Sequence, residues 1–253
     1  MDILSVKLYA RQLQGTHRGA DDVWFFVQLV CVAAPNALAL GLPWLRGGLR
    51  LPAAAGLCLA NAAVLLLCAA ANTRRFFARG CGVPASALRP LGKVLGFRAL
   101  VALLQTGLAA ASLLPAAVVL VLTRVLLQTG LTRRELTLLL CGTSALAALA
   151  LVTFARAASL LFLAPYAYAG GSGVRASIRQ SIVTMAAQRR AARRFRRSFC
   201  GWFLLCALAV PAPFVWSYYQ QSAAVFAGAL LPAWQAGTPD DQPTILLDKW
   251  AKT

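Results

Sequence analysis

Long runs of apolar residues, bounded by charged residues, dominate the chain. A helix needs about 20 apolar residues to cross the hydrocarbon core of a bilayer. The runs that reach this length predict membrane-spanning helices at residues 23–44, 51–71, 99–122, 136–166 and 199–219. The pattern therefore predicts an all-α, polytopic transmembrane helical bundle with about five spans.

The parts of the chain outside these runs complete the predicted organisation. Residues 1–22 form a polar N-terminal segment, residues 23–234 form one membrane domain, and residues 235–253 form a polar tail that we expect to be mobile. The apolar run at residues 222–234 is short for a span. It is compatible with an interfacial segment, a re-entrant hairpin or a sixth crossing.

Composition strengthens the membrane assignment and indicates the charge of the partner. The chain is 60% hydrophobic and only 13% charged, whereas soluble domains carry about a quarter charged residues. Its formal net charge of +18 favours an anionic partner, and lipid headgroups are the nearest anions. The arginines are scattered between apolar runs without zinc-finger or RNP-like spacing, so we expect no nucleic-acid binding.

Lys and Arg residues are distributed unequally between the loops. The N-terminal segment and the second and fourth loops together carry more than twice as many as the loops that alternate with them and the tail. Because cytoplasmic loops carry the excess of Lys and Arg, we expect a cytoplasmic N-terminus. Five spans would then leave the tail outside, whereas a re-entrant segment or sixth crossing would return it.

The most distinctive segment is a basic amphipathic helix predicted at residues 174–198. Val174, Ile178, Ile182 and Met185 recur at helical spacing and predict one apolar face. A negative leaflet surface attracts each cation by roughly 1 kcal/mol, so we expect this helix to lie on the membrane. It is interpreted as a topology anchor, a site for anionic lipid or a docking site for a partner protein. The candidate contacts are Arg189, Arg190, Arg193, Arg194, Arg196 and Arg197.

Asn36, Asn61 and Arg156 are candidate polar sites within the predicted spans. Interhelical hydrogen bonds are the expected role of the two asparagines, and a long arginine side chain near a span end can reach the headgroups. The alternative is a transporter or permease component whose path these three residues line. The predicted spans contain no Asp or Glu that would couple such transport to protons or sodium.

Catalytic chemistry has little support in the sequence. The chain has one histidine, and its seven cysteines form no CxxC pair, so no metal site or cofactor is expected. We expect the adjacent Asp21 and Asp22 to cap the start of a helix. These features predict a protein that is not an enzyme.

Four motifs in the second half resemble a known family. They read FLAPYAYAGG at 162–171, ASIRQSIVTM at 176–185, FRRSFCGWFLLCAL at 195–208 and VWSYYQQSAAVF at 215–226. This arrangement resembles the bacterial membrane family called domain of unknown function 975, distantly related to a membrane domain found beside some glycerophosphodiesterases. Where that family has a second Pro-Tyr, this chain has Ser217 and Tyr218. The matching positions are Pro165, Tyr166, Ser181, Met185, Ser198, Phe199, Gly201 and Trp202.

The resemblance implies a protein of the bacterial cytoplasmic membrane without assigned catalytic residues. Together with the basic segment, it leads to the hypothesis of a non-enzymatic membrane-organising or accessory protein. Anionic lipid headgroups, a membrane-protein partner and a second copy of the chain are the partners that this hypothesis considers.

Overall fold

The computed structural model describes residues 3–44, 47–127, 133–205 and 212–231. Within these ranges every regular element is helical, which confirms the predicted all-α class. Two short 3-10 helices cover Leu42–Trp44 and Ala85–Ala87. The α-helices are α1 (Ile3–Ala39), α2 (Gly47–Gly80), α3 (Leu91–Leu127), α4 (Arg133–Leu160), α5 (Ala164–Ala169), α6 (Val174–Ala187), α7 (Arg189–Leu205) and α8 (Ala212–Leu230).

Four helical segments of the described chain are long and apolar enough to cross a membrane: Ile3–Trp44, Gly48–Gly80, Leu91–Leu122 and Arg134–Ala169. They contain the first four spans predicted from sequence. With 37 residues, α1 is about 55 Å long, whereas the hydrocarbon core is only about 30 Å thick. α1 is therefore longer than a single perpendicular crossing requires.

The chain divides into two compact units, one made of residues 1–98 and 163–253 and the other of residues 99–162. We call them the larger and the smaller unit. In the smaller unit, large apolar side chains such as Leu103, Leu114 and Leu151 are exposed. A helix whose apolar side chains face outward is suited to a lipid environment.

In the larger unit, α1 and α2 form an antiparallel hairpin joined by polar pairs. Near one end, Asn36 and Asn61 donate hydrogen bonds to each other, with N···O distances of 3.3 and 3.1 Å. Further along, Gln28 and Asn72 exchange hydrogen bonds of 2.6 and 3.2 Å. Trp24 Nε1 donates to the same Asn72 oxygen at 2.8 Å. The α2 residue in each pair has a higher number when its α1 partner has a lower one, as expected of antiparallel helices. These pairs define the register of the hairpin.

α8 packs against the end of α2 and runs parallel to it. A Cβ atom added at Gly80 would lie 3.2 Å from the backbone nitrogen of Val225, so the two backbones approach closely there. One turn earlier, Gln221 Nε2 donates to the carbonyl oxygen of Phe76 at 3.4 Å. Most α8 residues from Val215 to Ala227 are buried, which makes this helix the centre of the larger unit.

α7 packs against α8 in the opposite direction. The rings of Phe195 and Phe226 stack with centroids 4.6 Å apart, and those of Trp202 and Phe214 lie 6.3 Å apart. Later residues of α7 thus contact earlier residues of α8. The start of α7 and the end of α8 therefore lie together, at the end of the unit where α2 finishes.

The structure differs from the predicted helix at residues 174–198, because two helices occupy this segment. α6 ends before Gln188, whose backbone has left the helical region at φ −98° and ψ 27°, and α7 begins at Arg189.

The buried face of α6 also differs from the apolar face that the sequence predicts. Met185 is buried as expected, but Val174 and Ile182 are exposed, and Ser177 and Ser181 pack inward. Ser181 Oγ accepts a hydrogen bond from the backbone nitrogen of Leu163 at 3.1 Å. Small hydroxyl side chains are buried on this face because they allow close approach and satisfy a backbone donor.

The predicted fifth span, residues 199–219, is divided between two helices. Its first part belongs to α7, which ends at Leu205, and its last part belongs to α8, which begins at Ala212. Residues 222–230 continue α8 rather than forming a separate short segment. The predicted mobile tail, residues 235–253, lies outside the described residues.

Candidate functional site: the arginine face of α7

α7 has one buried face and one basic face. Ala192, Phe195 and Phe199 are buried, and their spacing places them on one side of the helix. On the other side lies what we call the arginine face, within roughly 160° of the helix circumference and about 12 Å of its length. Its members, all exposed, are Arg189, Arg190, Arg193, Arg194, Arg196 and Arg197.

Aromatic packing fixes the orientation of α7. The ring of Phe199 contacts those of Tyr218 and Tyr219, with centroids 5.4 and 5.3 Å away, and Phe195 stacks on Phe226. Since these rings hold the apolar side of α7 against α8, the arginine side chains are directed away from the protein core.

The arginine face has no acidic partner among the described residues. Asp21 and Asp22 are the only acidic residues in the described part of the larger unit. Arg75 and Arg79 bind Asp21, and Asp22 lies 4.0 Å from Arg18. Both carboxylates are thus engaged by cations outside α7.

Asp21 is the acceptor of a buried polar cluster in the larger unit. Its side chain is only 1% exposed. Arg79 Nη1 donates to both carboxylate oxygens at 2.7 and 2.9 Å, and Arg75 Nη2 donates to one of them at 3.1 Å. This cluster connects the middle of α1 to the end of α2.

The expectation that Asp21 caps a helix start was wrong, because α1 begins at Ile3 and passes through this position without interruption. The sequence did contain a signal for its true role. Arg75 and Arg79 are four residues apart, which places both on one face of α2, facing a carboxylate on the preceding long helix.

The two asparagines predicted as intramembrane polar sites pair with each other. Asn36 on α1 and Asn61 on α2 form the reciprocal hydrogen bonds described above, which is the interhelical role expected of them. Arg156 belongs to the smaller unit, where its side chain is exposed on α4. The two asparagines thus join α1 to α2.

The motif residues of the family resemblance are mainly packing residues. Pro165, Tyr166, Ser181 and Met185 are buried in α5 and α6, and Tyr166 lies 5.4 Å from the Phe77 ring. Phe199 is buried and Ser198 is half-buried, whereas Gly201 and Trp202 are exposed. These residues therefore shape the framework that carries α7.

A small, partly open recess lies beside this framework. Its position shows that the end of α8 adjoins the turns that follow α5, and none of the arginine-face residues contributes to it. The lining residues are Phe77, Tyr166, Ala167, Gly170, Ser172, Gln180 and Leu231.

No family model, curated protein or solved structure matches the chain. The resemblance to domain of unknown function 975 therefore stays a prediction. Within the described residues, no group of three or more His, Cys, Asp or Glu side chains is arranged to hold a metal ion.

Cys81, just after α2, provides a test of the packing between α2 and α8. Burial raises the pKa of its thiol from 9.0 to about 12, and its sulfur lies against Gly228 of α8. In a variant whose single cysteine is Cys81, we expect alkylation near pH 8 to be about a thousandfold slower than for a free thiol. Stopped-flow maleimide labelling at increasing pH measures this rate.

The labelling rate of Cys81 is expected to rise as the pH approaches 12. The folded state should lose stability between pH 9 and 12, because the thiol of the unfolded chain ionises at a lower pH than the buried thiol. A single cysteine introduced as Gln188→Cys, at an exposed position, serves as the reactive control. Equal rates at the two positions would show that the end of α8 does not cover Cys81.

Proposed function

We propose that the protein is a non-enzymatic accessory or organising protein of the bacterial cytoplasmic membrane that binds anionic lipid headgroups through the arginine face of α7. The observation that carries this proposal is the arginine face itself. Six exposed guanidinium groups lie on a helix whose opposite side is fixed by aromatic packing. Guanidinium groups match phosphate geometry and form bidentate, charge-assisted hydrogen bonds with it.

Lipid is favoured over a soluble anion by the composition of α7 along its axis. The arginines occupy the first half of the helix, whereas its second half from Ser198 to Leu205 is apolar apart from Ser198. Trp202 in this half is 40% exposed, and tryptophan is enriched at membrane interfaces. A helix that changes from basic to apolar within a few turns is suited to the boundary between headgroups and hydrocarbon.

In the proposed topology the N-terminus is cytoplasmic, the four long apolar helices cross the membrane, and α7 and α8 form a hairpin that starts and ends on the cytoplasmic side. The parallel packing of α2 and α8 supports this arrangement. With α1 running outward, α2 ends at the cytoplasmic surface, and the end of α8 lies beside it. The hairpin thus replaces a fifth crossing.

This topology predicts that the chain after Leu231 begins on the cytoplasmic side. In a cysteine-free background, we expect Thr253→Cys to react with a membrane-impermeant maleimide only after the cells are opened. A cysteine at Leu40, in the loop between α1 and α2, should react in intact cells and serves as the external control. Labelling of Thr253→Cys in intact cells would restore the five-span arrangement.

Replacing three arginines of one stripe tests the lipid proposal while limiting the change in charge. We expect Arg189→Gln/Arg193→Gln/Arg196→Gln to lower the retention of phosphatidylglycerol relative to phosphatidylcholine by about tenfold or more, since each cation contributes roughly 1 kcal/mol. Native mass spectrometry of the purified full chain measures the retained lipids.

The matched control removes three exposed cations elsewhere in the larger unit, as Lys93→Gln/Arg175→Gln/Arg179→Gln. It should change the retention ratio less than threefold. If both triple variants change the ratio equally, or neither does, the arginine face is not the lipid site. Docking of a partner protein would then explain the face better.

A further inference from the structure

We infer that the anionic site extends from α7 onto the beginning of α1 and accepts a single lipid headgroup carrying two phosphates. This inference rests on the proposed function, because it specifies the lipid that the arginine face binds. It adds a second group of cations, from the opposite end of the sequence.

The second group is a cationic stripe on α1 formed by Lys7, Arg11 and Arg18. Their spacing of four and seven residues places the three side chains along one side of the helix. Arg11 and Arg18 are exposed and Lys7 is half-buried. The start of α1 thus presents its own basic surface.

Direct contacts join this stripe to α7. Lys7 Nζ donates a hydrogen bond to the carbonyl oxygen of Ser198 at 3.1 Å, and the same nitrogen lies 4.4 Å from the centre of the Phe199 ring. The hydroxyl of Tyr218 donates to the carbonyl oxygen of Lys7 at 3.4 Å. Lys7 is therefore held at the end of the arginine face rather than in free solution.

The geometry of α7 brings Arg194 close to this junction. Arg194 lies one turn before Ser198, and the two positions differ by about 40° around the helix. Lys7 bonds Ser198, so the α1 stripe meets the arginine face on the side of Arg194. An ammonium group has three donors, and after the bond to Ser198 two remain for an oxygen atom of a ligand.

Two phosphates match this arrangement better than one. A single phosphate is satisfied by two or three donors and can occupy either helix. A headgroup with two linked phosphates can contact Lys7 and Arg11 with one and the arginine face with the other. Once the first phosphate is bound, the second binds at a high effective concentration without another loss of translational freedom. Such a lipid gains affinity from both helices together.

The test compares cardiolipin, which has two phosphates, with phosphatidylglycerol, which has one, at equal total phosphate. The purified full chain is equilibrated with both in mixed micelles, and native mass spectrometry counts the retained lipids. We expect the unmodified chain to retain cardiolipin about tenfold more strongly per phosphate. Lys7→Gln/Arg11→Gln should abolish this preference, whereas phosphatidylglycerol should still be retained over phosphatidylcholine because the arginine face is intact.

Two control variants separate charge from structure. Lys7→Arg keeps the cation and should keep the cardiolipin preference. Arg175→Gln changes an exposed arginine of α6 outside the stripe and should keep it too. Arg11→Gln alters only an exposed side chain and should lower the preference even if the double variant does not fold.

The outcomes distinguish this inference from the proposed function. If the unmodified chain retains phosphatidylglycerol over phosphatidylcholine but shows no preference for cardiolipin, the two-phosphate site is wrong and the lipid function stands. A cardiolipin preference that survives Arg11→Gln and the double variant also overturns the role of α1. If no anionic lipid is preferred over phosphatidylcholine, the proposed function itself fails.

Discussion

Replacing Asp21 with asparagine is expected to lower the free energy of unfolding by about 3 kcal/mol. The carboxylate is 1% exposed and accepts hydrogen bonds from two arginines. The asparagine side chain has a similar size but no charge, so Arg75 and Arg79 would remain at the helix junction without their counter-ion. Unfolding by titration with sodium dodecyl sulfate in mixed micelles measures the change.

The neighbouring Asp22 provides a matched control. Its arginine partner Arg18 is 70% exposed and lies 4.0 Å away, and exposed pairs of this kind contribute less than about 1 kcal/mol. Asp22→Asn should therefore change stability by well under about 1 kcal/mol, and Arg79→Met should have an intermediate effect because Arg75 still pairs with Asp21. Equal effects at Asp21 and Asp22 would contradict the buried cluster.

Phe199→Ala is expected to lower the free energy of unfolding by about 3 kcal/mol. This ring is fully buried and packs on Tyr218 and Tyr219 of α8, so its removal leaves a cavity between the two helices. It also removes the ring beneath Lys7. Titration with sodium dodecyl sulfate measures stability, and native mass spectrometry measures the lipid retained by the folded fraction.

Phe26→Ala is the control for the loss of an aromatic ring, because Phe26 is 53% exposed. We expect it to cost less than about 1 kcal/mol and to leave lipid retention unchanged. If Phe199→Ala costs no more than Phe26→Ala, the aromatic contacts do not fix α7. If Phe199→Ala destabilises the chain without changing the lipid retained by the folded fraction, lipid binding depends on the charge of α7 rather than on its orientation.

The helical class and the first four long helices could be predicted because hydrophobic length is a local property. Residues 51–71, for example, form an uninterrupted apolar run apart from Asn61, and α2 contains all of them. The ends of the helices were less predictable. α1 begins twenty residues before the predicted span at Val23, because polar residues such as Gln14 face other helices there, where Gln14 Nε2 donates to Ser217 Oγ at 2.7 Å.

The hairpin of α7 and α8 could not be read from hydrophobic length. The apolar run at residues 199–219 predicts one span, yet it is divided between α7 and α8. The direction of α8 follows from its contacts with α2, such as the bond from Gln221 to Phe76. α8 is defined by small residues such as Ala223, Ala224 and Ala227 that allow close packing. Their role becomes visible only when the partner helix is known.

The sequence predicts the six arginines as a group, but it does not predict what covers the opposite side of their helix. Sequence spacing identified the arginines and suggested that lipid would cover their apolar side. Instead, Phe195 and Phe199 pack on α8, so the protein itself covers that side. The pairing of Asp21 with Arg75 and Arg79 was missed for a similar reason, since the register of the α1–α2 hairpin brings these residues together.

Photo-crosslinking in native membranes tests most directly whether the arginine face binds anionic headgroups. Phosphatidylglycerol with a photoreactive headgroup would be incorporated, irradiated and located on the chain by peptide mass spectrometry. We predict that crosslinks concentrate on residues 189–198 and on the start of α1, and that Arg189→Gln/Arg193→Gln/Arg196→Gln removes most of them. Crosslinks spread evenly over all basic loops, or unchanged in the triple variant, would contradict the proposed site.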